Sequence, residues 1–202
     1  MKQIIECVPN ISEGRDTAKI KRITDVVETV EGVMLLNVDP GKATNRTVIT
    51  FAGEPDSVIE AAYLLVKKAS EEIDMSKHSG EHPRFGATDV CPLVPVSGIS
   101  MDETVKYAHK LGKRIGEELD IPTYFYENAA LEDKRKNLAT VRSGEYEGLQ
   151  DKLSKPEWKP DHGSERFNER VQKSGATAVS ARDFLVAYNI NLNTTSTRRA
   201  NA

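Results

Sequence analysis

Six alternating segments between Gln3 and Val96 limit what this chain can fold into more than any other feature. Gln3 to Val8 has strand character and ends at Pro9 and the turn-prone run Asn10-Ile11-Ser12-Glu13-Gly14. Asp16 is placed to cap a helix whose apolar residues Ile20, Ile23, Val27 and Val30 follow helical spacing, and Gly32 ends it. Val33 to Val38 is an apolar run of strand length, Asp39-Pro40-Gly41-Lys42 is turn chemistry, and Arg46 to Phe51 is rich in β-branched residues. Gly53 breaks that strand. Glu54-Pro55-Asp56 opens a helix carrying Val58, Ala62, Leu65 and Ala69 on one face. A polar loop then leads to a strand over Val90 to Val96, where Pro92 and Pro95 point to an edge position or irregular pairing.

The order strand, helix, strand, strand, helix, strand is the split βαβ, or ferredoxin-like, pattern. The spacing continues with a helix over Asp102 to Leu119, with Val105, Ala108, Gly112, Ile115 and Leu119 inward, and a strand over Thr123 to Tyr126. From Asn128 to Gly175 the pattern weakens. Tyr146, Trp158 and Phe167 stand as isolated anchors in a polar stretch of the kind that forms binding loops or flexible segments. Strand-like patterning resumes over Ala178 to Leu192, and Thr197 to Ala202 reads as the first turn of a helix. The expected fold class is α+β: a ferredoxin-like split βαβ sandwich with an antiparallel sheet and helices on one face, extended by additional strand and helix elements.

That topology has a chemical consequence. Strands one and two point up and strands three and four down, so one rim receives Asn10, Glu13 and Arg15 from the end of the first strand. The same rim receives Asp39, then Asn45 and Arg46, and the whole His78 to Asp89 loop. The loop Lys77-His78-Ser79-Gly80-Glu81-His82-Pro83-Arg84-Phe85-Gly86-Ala87-Thr88-Asp89 is too polar and too tightly turned to be core. His82 titrates near neutrality and suits general acid/base work; the plainer alternative is a surface histidine in a charged turn. Pro83 holds His82 out of the helical region, and Gly80 and Gly86 let the loop approach a ligand closely.

His78 and His82 are four apart, but Gly80 and Pro83 oppose the helix that a shared metal would need, and no metal is expected. His109 reads as structural, and His162 as solvated or ligand-contacting. Asp39, Asn45, Arg46, Arg84 and Asp89 are either ordinary rim residues or a set suited to an amino-acid substrate. Arginine forks onto carboxylate, aspartate pairs with a cationic nitrogen, and asparagine offers donor and acceptor. Gly175-Ala176-Thr177 is a turn or a backbone amide cradle.

Composition removes several classes. With 28 Lys and Arg against 31 Asp and Glu over 202 residues, the net charge of −3 opposes a nucleic-acid or anionic-membrane surface. No apolar run reaches the length of a membrane span, and the first residues lack a signal-peptide core. Cys7 and Cys91 sit in apolar runs and are expected as buried reduced thiols in a cytoplasmic protein.

Four stretches together resemble the formiminotransferase family over nearly the whole chain. They are Glu6 to Gly14, Asp39 to Thr47, His78 to Pro92, and Ala187-Tyr188-Asn189-Ile190-Asn191-Leu192. The resemblance implies transfer of a formimidoyl group from N-formimidoyl-L-glutamate to N5 of tetrahydrofolate, in histidine degradation and one-carbon metabolism. It puts the catalytic histidine on His82 and the folate-contacting loop on Gly163, Phe167, Gly175, Ala176 and Thr177, with Asn168 to Ser174 carrying extra residues between them. Tetrahydrofolate is then a co-substrate, the protein a homodimer, and folate lies in a tunnel between two similar α/β subdomains.

On that reading residues 1–180 are the N-terminal subdomain. Residues 181–202 are the last strand and the start of a linker helix to a C-terminal subdomain absent from this chain, as is a cyclodeaminase domain. Substrate would be bound by Asn10, Asp39, Asn45, Arg46, Arg84 and Asp89. Asp39 and Asp89 would orient donors or steady an amidinium, and Arg46 or Arg84 would grip a glutamate carboxylate. The rival functions are a non-catalytic folate- or anion-binding module and a relative that transfers formyl.

Overall fold

The computed structural model describes residues 2–185. β1 (Ile4–Cys7) and β2 (Asn10–Ile11) are one strand broken at Val8-Pro9. α1 (Thr17–Thr24) starts under its expected cap, the Asp16 carboxylate accepting from the Lys19 amide. It is shorter than the spacing suggests, because a separate 3-10 turn carries Val27. β3 (Val33–Gly41) and β4 (Arg46–Gly53) form a hairpin, followed by α2 (Pro55–Glu72) and, after the polar loop, β5 (Thr88–Ser97). α3 (Met101–Leu119) begins with a full capping box between Ser100 and Glu103. β6 (Thr123–Glu127), the short helices α4 (Leu138–Val141), α5 (Leu149–Leu153) and α6 (Glu169–Ser174), and β7 (Thr177–Ala181) complete the fold.

The fold is mixed α+β, with seven strands among the described residues in one sheet in the order β3, β4, the broken β1/β2, β5, β7, β6. The pairings among β1 to β5 are antiparallel. The expected antiparallel sheet needs correction at the other end, where β7 lies parallel to both β5 and β6. Parallel neighbours require long crossovers, which α3 and the 128–176 segment supply.

Of the two alternatives for Pro92 and Pro95, irregular pairing is the one observed: β5 is central, and its prolines sit where pairing is already irregular. Pro92 faces the break between β1 and β2 and accepts from the Val8 amide, while Pro95 lies at the register shift beside Ile4 and Ile5. And β3 runs on through Asp39, Pro40 and Gly41, paired with Val48, Thr47 and Arg46, so Asp39 is a strand residue. Proline is tolerated there because β3 is the outer strand.

Helices do not lie on one face alone. Ile5, Cys7, Ile49, Phe51, Leu93, Phe125 and Val179 face the main core with Val58, Leu65 and Ala69 of α2 and Leu111 and Ile115 of α3. On the opposite face Val90, Tyr124, Tyr126 and Ala178 pack with Phe85, Val141, Leu149, Leu153 and Val171. The weakly patterned 128–175 segment is therefore a packed second layer, required because two added strands expose aromatic residues that must be covered. Among the described residues this layer covers the β5, β7, β6 half, and the β3 end is left open, with Met34 and Leu36 exposed. No described helix is long and apolar enough to cross a membrane. The strand character over 186–192 and the helical turn at 197–202 fall outside the described residues.

Candidate active site

Directly opposed residues on paired strands share a face of the sheet. Asp39 opposes Val48, Val48 opposes Asn10, and Asn10 opposes Val90, so one row crosses four strands on the face away from α2 and α3. All four line a cleft of about 530 Å³ where the second layer stops. Arg46, two residues before Val48, shares that face. α4 forms the facing wall with Leu138 and Arg142, Tyr126 of β6 and Pro92 close the inner side, and His82 and Thr44 reach in from the loops above. A neighbouring hollow of about 610 Å³ shares Glu127, Arg182 and Leu185 with the cleft but has no histidine.

His82 hydrogen-bonds through Nδ1 to the Pro83 carbonyl oxygen at 2.6 Å. A carbonyl only accepts, so Nδ1 carries the proton and Nε2 presents its lone pair. Partial burial, then the Arg46 charge, hold the imidazole below its ordinary 6.5. His82 is thus a neutral base at pH 7.

Beneath it, Asp89 is fully buried and holds the loop together. Its Oδ1 accepts from the Phe85 amide at 2.9 Å. Its Oδ2 accepts from Arg46 and, at 2.8 Å, from Arg142. Arg46 also donates to Asn10 Oδ1 at 3.0 Å. Two guanidiniums on one carboxylate leave one positive charge in excess beside the cleft.

Asn45 is scaffolding. With φ of 50° it takes the left-handed conformation that asparagine tolerates. Its side chain accepts from the Gly14 amide at 3.0 Å and donates to the Ser79 oxygen at 2.8 Å, and its carbonyl bonds His78 Nε2 at 2.9 Å. The glycines of the loop let it pack closely against neighbouring backbone. A Cβ on Gly80 would stand 2.3 Å from the Thr44 oxygen, and one on Gly86 2.2 Å from the Ala176 oxygen. His78 and His82 turn to different carbonyls, and among the described residues no group of three metal-type ligands assembles. His109 bonds the Ala129 oxygen at 2.8 Å and stacks on Phe125; His162 meets the edge of the same ring.

The structure thus brings Asn10, Asp39, Arg46 and His82 into the cleft, with Asp89 and Asn45 behind them. Arg84 does not line it: it donates to the His78 oxygen at 3.0 Å and pairs with Glu147. Gly163, Phe167 and Gly175 to Thr177 lie outside the cleft as well. The amides of Gly175, Ala176 and Thr177 are taken by Val171, Phe85 and Pro122, and Ala176 and Thr177 are buried, so they form no open amide cradle. They back the His82 loop through the Gly86–Gly175 bridge. Sequence reasoning missed Arg142 and Tyr126. The strand pattern of Thr123 to Tyr126 was a signal for the second, since Phe125 inward leaves Tyr126 on the cleft face.

An α+β domain whose half-open sheet face carries a neutral imidazole among guanidiniums and an aspartate is equipped to hold a small anionic substrate and move a proton. Comparison with known proteins sharpens that class. The sequence profile of the formiminotransferase domain, N-terminal subdomain, matches residues 4–182. Formimidoyltransferase-cyclodeaminase of Gallus gallus is 51% identical over 192 residues, which are 95% of this chain and 35% of that protein. The Dictyostelium discoideum protein of the same name is 50% identical over the same shares. Glutamate formimidoyltransferase of Streptococcus pyogenes serotype M1 is 46% identical over 194 residues, 96% of this chain and 64% of that protein. The chain belongs to the formiminotransferase family, spanning about a third of the first two relatives and under two thirds of the third.

Proposed function

We propose that the protein bearing this chain is a glutamate formimidoyltransferase, moving the formimidoyl group from N-formimidoyl-L-glutamate to N5 of tetrahydrofolate. The products are 5-formimidoyltetrahydrofolate and L-glutamate. The observation that carries the reading is the neutral His82, its Nε2 free beside a cleft that also holds Asp39 and the excess charge of the Arg46–Asp89–Arg142 cluster. Two relatives, each 46% identical, are glutamate formimidoyltransferases, which agrees with it.

N5 of the folate attacks the amidine carbon, and His82 Nε2 takes the N5 proton as the new C–N bond forms. The tetrahedral intermediate then expels the glutamate nitrogen, and His82 returns the proton to it, so the imidazole ends neutral as it began. Asp39, across the row from Asn10, pairs with the amidinium character of the donor, and arginine receives a donor carboxylate. Tetrahydrofolate contacts are assigned to Gly163 and Phe167, both partly exposed, with Gly175 to Thr177 supporting the loop behind.

The order β3, β4, β1/β2, β5 supports reading the first half of the chain as ferredoxin-like. Exposed Met34 and Leu36 at the β3 end of the sheet support a second subdomain lying over the cleft; a cytoplasmic homodimer is proposed on the family resemblance alone. The test is the absorbance change of tetrahydrofolate on adding N-formimidoyl-L-glutamate to the full protein. Donor-dependent turnover is expected; turnover with a formyl donor alone, or folate binding without turnover, would reject the reading.

A further inference from the structure

The geometry points to Arg142 of α4 and Tyr126 of β6, together with Arg46, as the subsite that takes the α-carboxylate of the formimidoyl donor. This inference rests on the transferase reading above. Arg142 enters the cleft from the second layer at the end of α4 and Tyr126 from β6 of the sheet. Arg142 commits one Nη1–H to Asp89, and among the described residues its side chain makes no other hydrogen bond. Its Nε is buried without a partner.

A guanidinium has five N–H groups, and leaving them unmet in a dry site is costly. Tyr126 is 2% exposed and lines the same cleft as Arg142. Burial also pushes this phenol upward, so it stays a donor at every working pH. The orphaned Nε of Arg142, a phenol donor in the same cleft and the surplus positive charge of two guanidiniums on one carboxylate define an anion site of carboxylate type.

Both substrates carry glutamyl carboxylates, and position separates them. Arg46, Arg142 and His82 line the same cleft, so an anion seated on the two guanidiniums lies close to the proton-transfer centre. In the donor, the α-carboxylate is bonded to the carbon that carries the reacting nitrogen. In tetrahydrofolate, the glutamyl group is separated from N5 by the whole aminobenzoyl arm. Only the donor's carboxylate reaches both places at once. Asp89 then acts as a positioning residue, holding the two guanidiniums side by side.

The experiment compares wild type, Arg142→Gln, Arg142→Lys and Tyr126→Phe in the full protein, with KM measured separately for N-formimidoyl-L-glutamate and tetrahydrofolate. Arg142→Gln is expected to raise donor KM about tenfold or more, and Tyr126→Phe about threefold to tenfold, with folate KM within about twofold. Arg142→Lys keeps a cation beside Asp89 and guards against misfolding; loss of the planar fork is still expected to raise donor KM. N-formimidoyl-4-aminobutyrate, which lacks the α-carboxylate, should be used equally poorly by wild type and Arg142→Gln. An active wild type whose donor KM is unmoved in the variants, or whose folate KM rises instead, overturns the inference alone. A wild type inactive toward the donor overturns it together with the transferase reading.

Discussion

His82 works as a base only if it is neutral before the reaction begins, and two of its surroundings see to that. The Pro83 oxygen fixes the proton on Nδ1, and partial burial with the Arg46 charge lowers the proton affinity of Nε2. Protonation occupies the lone pair that must accept from N5, so activity falls as pH drops through the folded-state pKa, which lies below 6.5. The profile of kcat/KM should be level above neutrality and fall about tenfold per pH unit below its inflection. An inflection above 7 would contradict this assignment. At this scale the sequence was legible where strand topology delivered the residue: Asn10, Asp39, Arg46 and His82 needed only the order of six segments. Arg84 was not, because Glu147 and the His78 carbonyl, which bind it away from the cleft, come from parts of the chain whose meeting no local pattern reveals.

Among the elements, those with a strong period were legible and those held by tertiary contacts were not. α3 shows its capping box and apolar stripe in the sequence itself. α4 and α5 have four and five residues, too few to display a period, and they exist because Tyr124 and Tyr126 need cover. α5 contributes a second device. Lys152 reaches back to donate to the Val141 oxygen at 2.7 Å, at the end of α4 beside Arg142, with its ammonium 4.0 Å from the Trp158 ring centre.

Burial, then the charges of Lys155 and Arg135, lower the Lys152 pKa from 10.5 to about 8. The unfolded chain therefore binds the proton more tightly than the folded one, so this residue costs stability below pH 8. The cost fades as pH rises toward 10.5. Lys152→Met should cancel that rise and add up to about 3 kcal/mol at pH 7, with the lost Val141 hydrogen bond offsetting part of it. Thermal melts of both proteins from pH 7 to 10 check it; parallel stability profiles would refute it.

At the scale of the whole fold, among the described residues, one face of the sheet is sealed by α2 and α3, and the other is covered for half its width and open for the rest. The cleft lies at that boundary. The strand pattern showed the first layer, because alternating apolar residues such as Ile49 and Phe51 must meet a helix. The second layer was illegible, since its apolar residues are dispersed through 128–175 and converge only once β6 and β7 add parallel strands beside β5. A boundary of this kind separates function from folding: His82 fills no part of either hydrophobic cluster. The decisive measurement is therefore His82→Ala in the full protein, followed for formimidoyl transfer and thermal midpoint together. A fall in kcat of about 10²- to 10⁴-fold with an unchanged midpoint is predicted. Near-normal turnover would contradict the account.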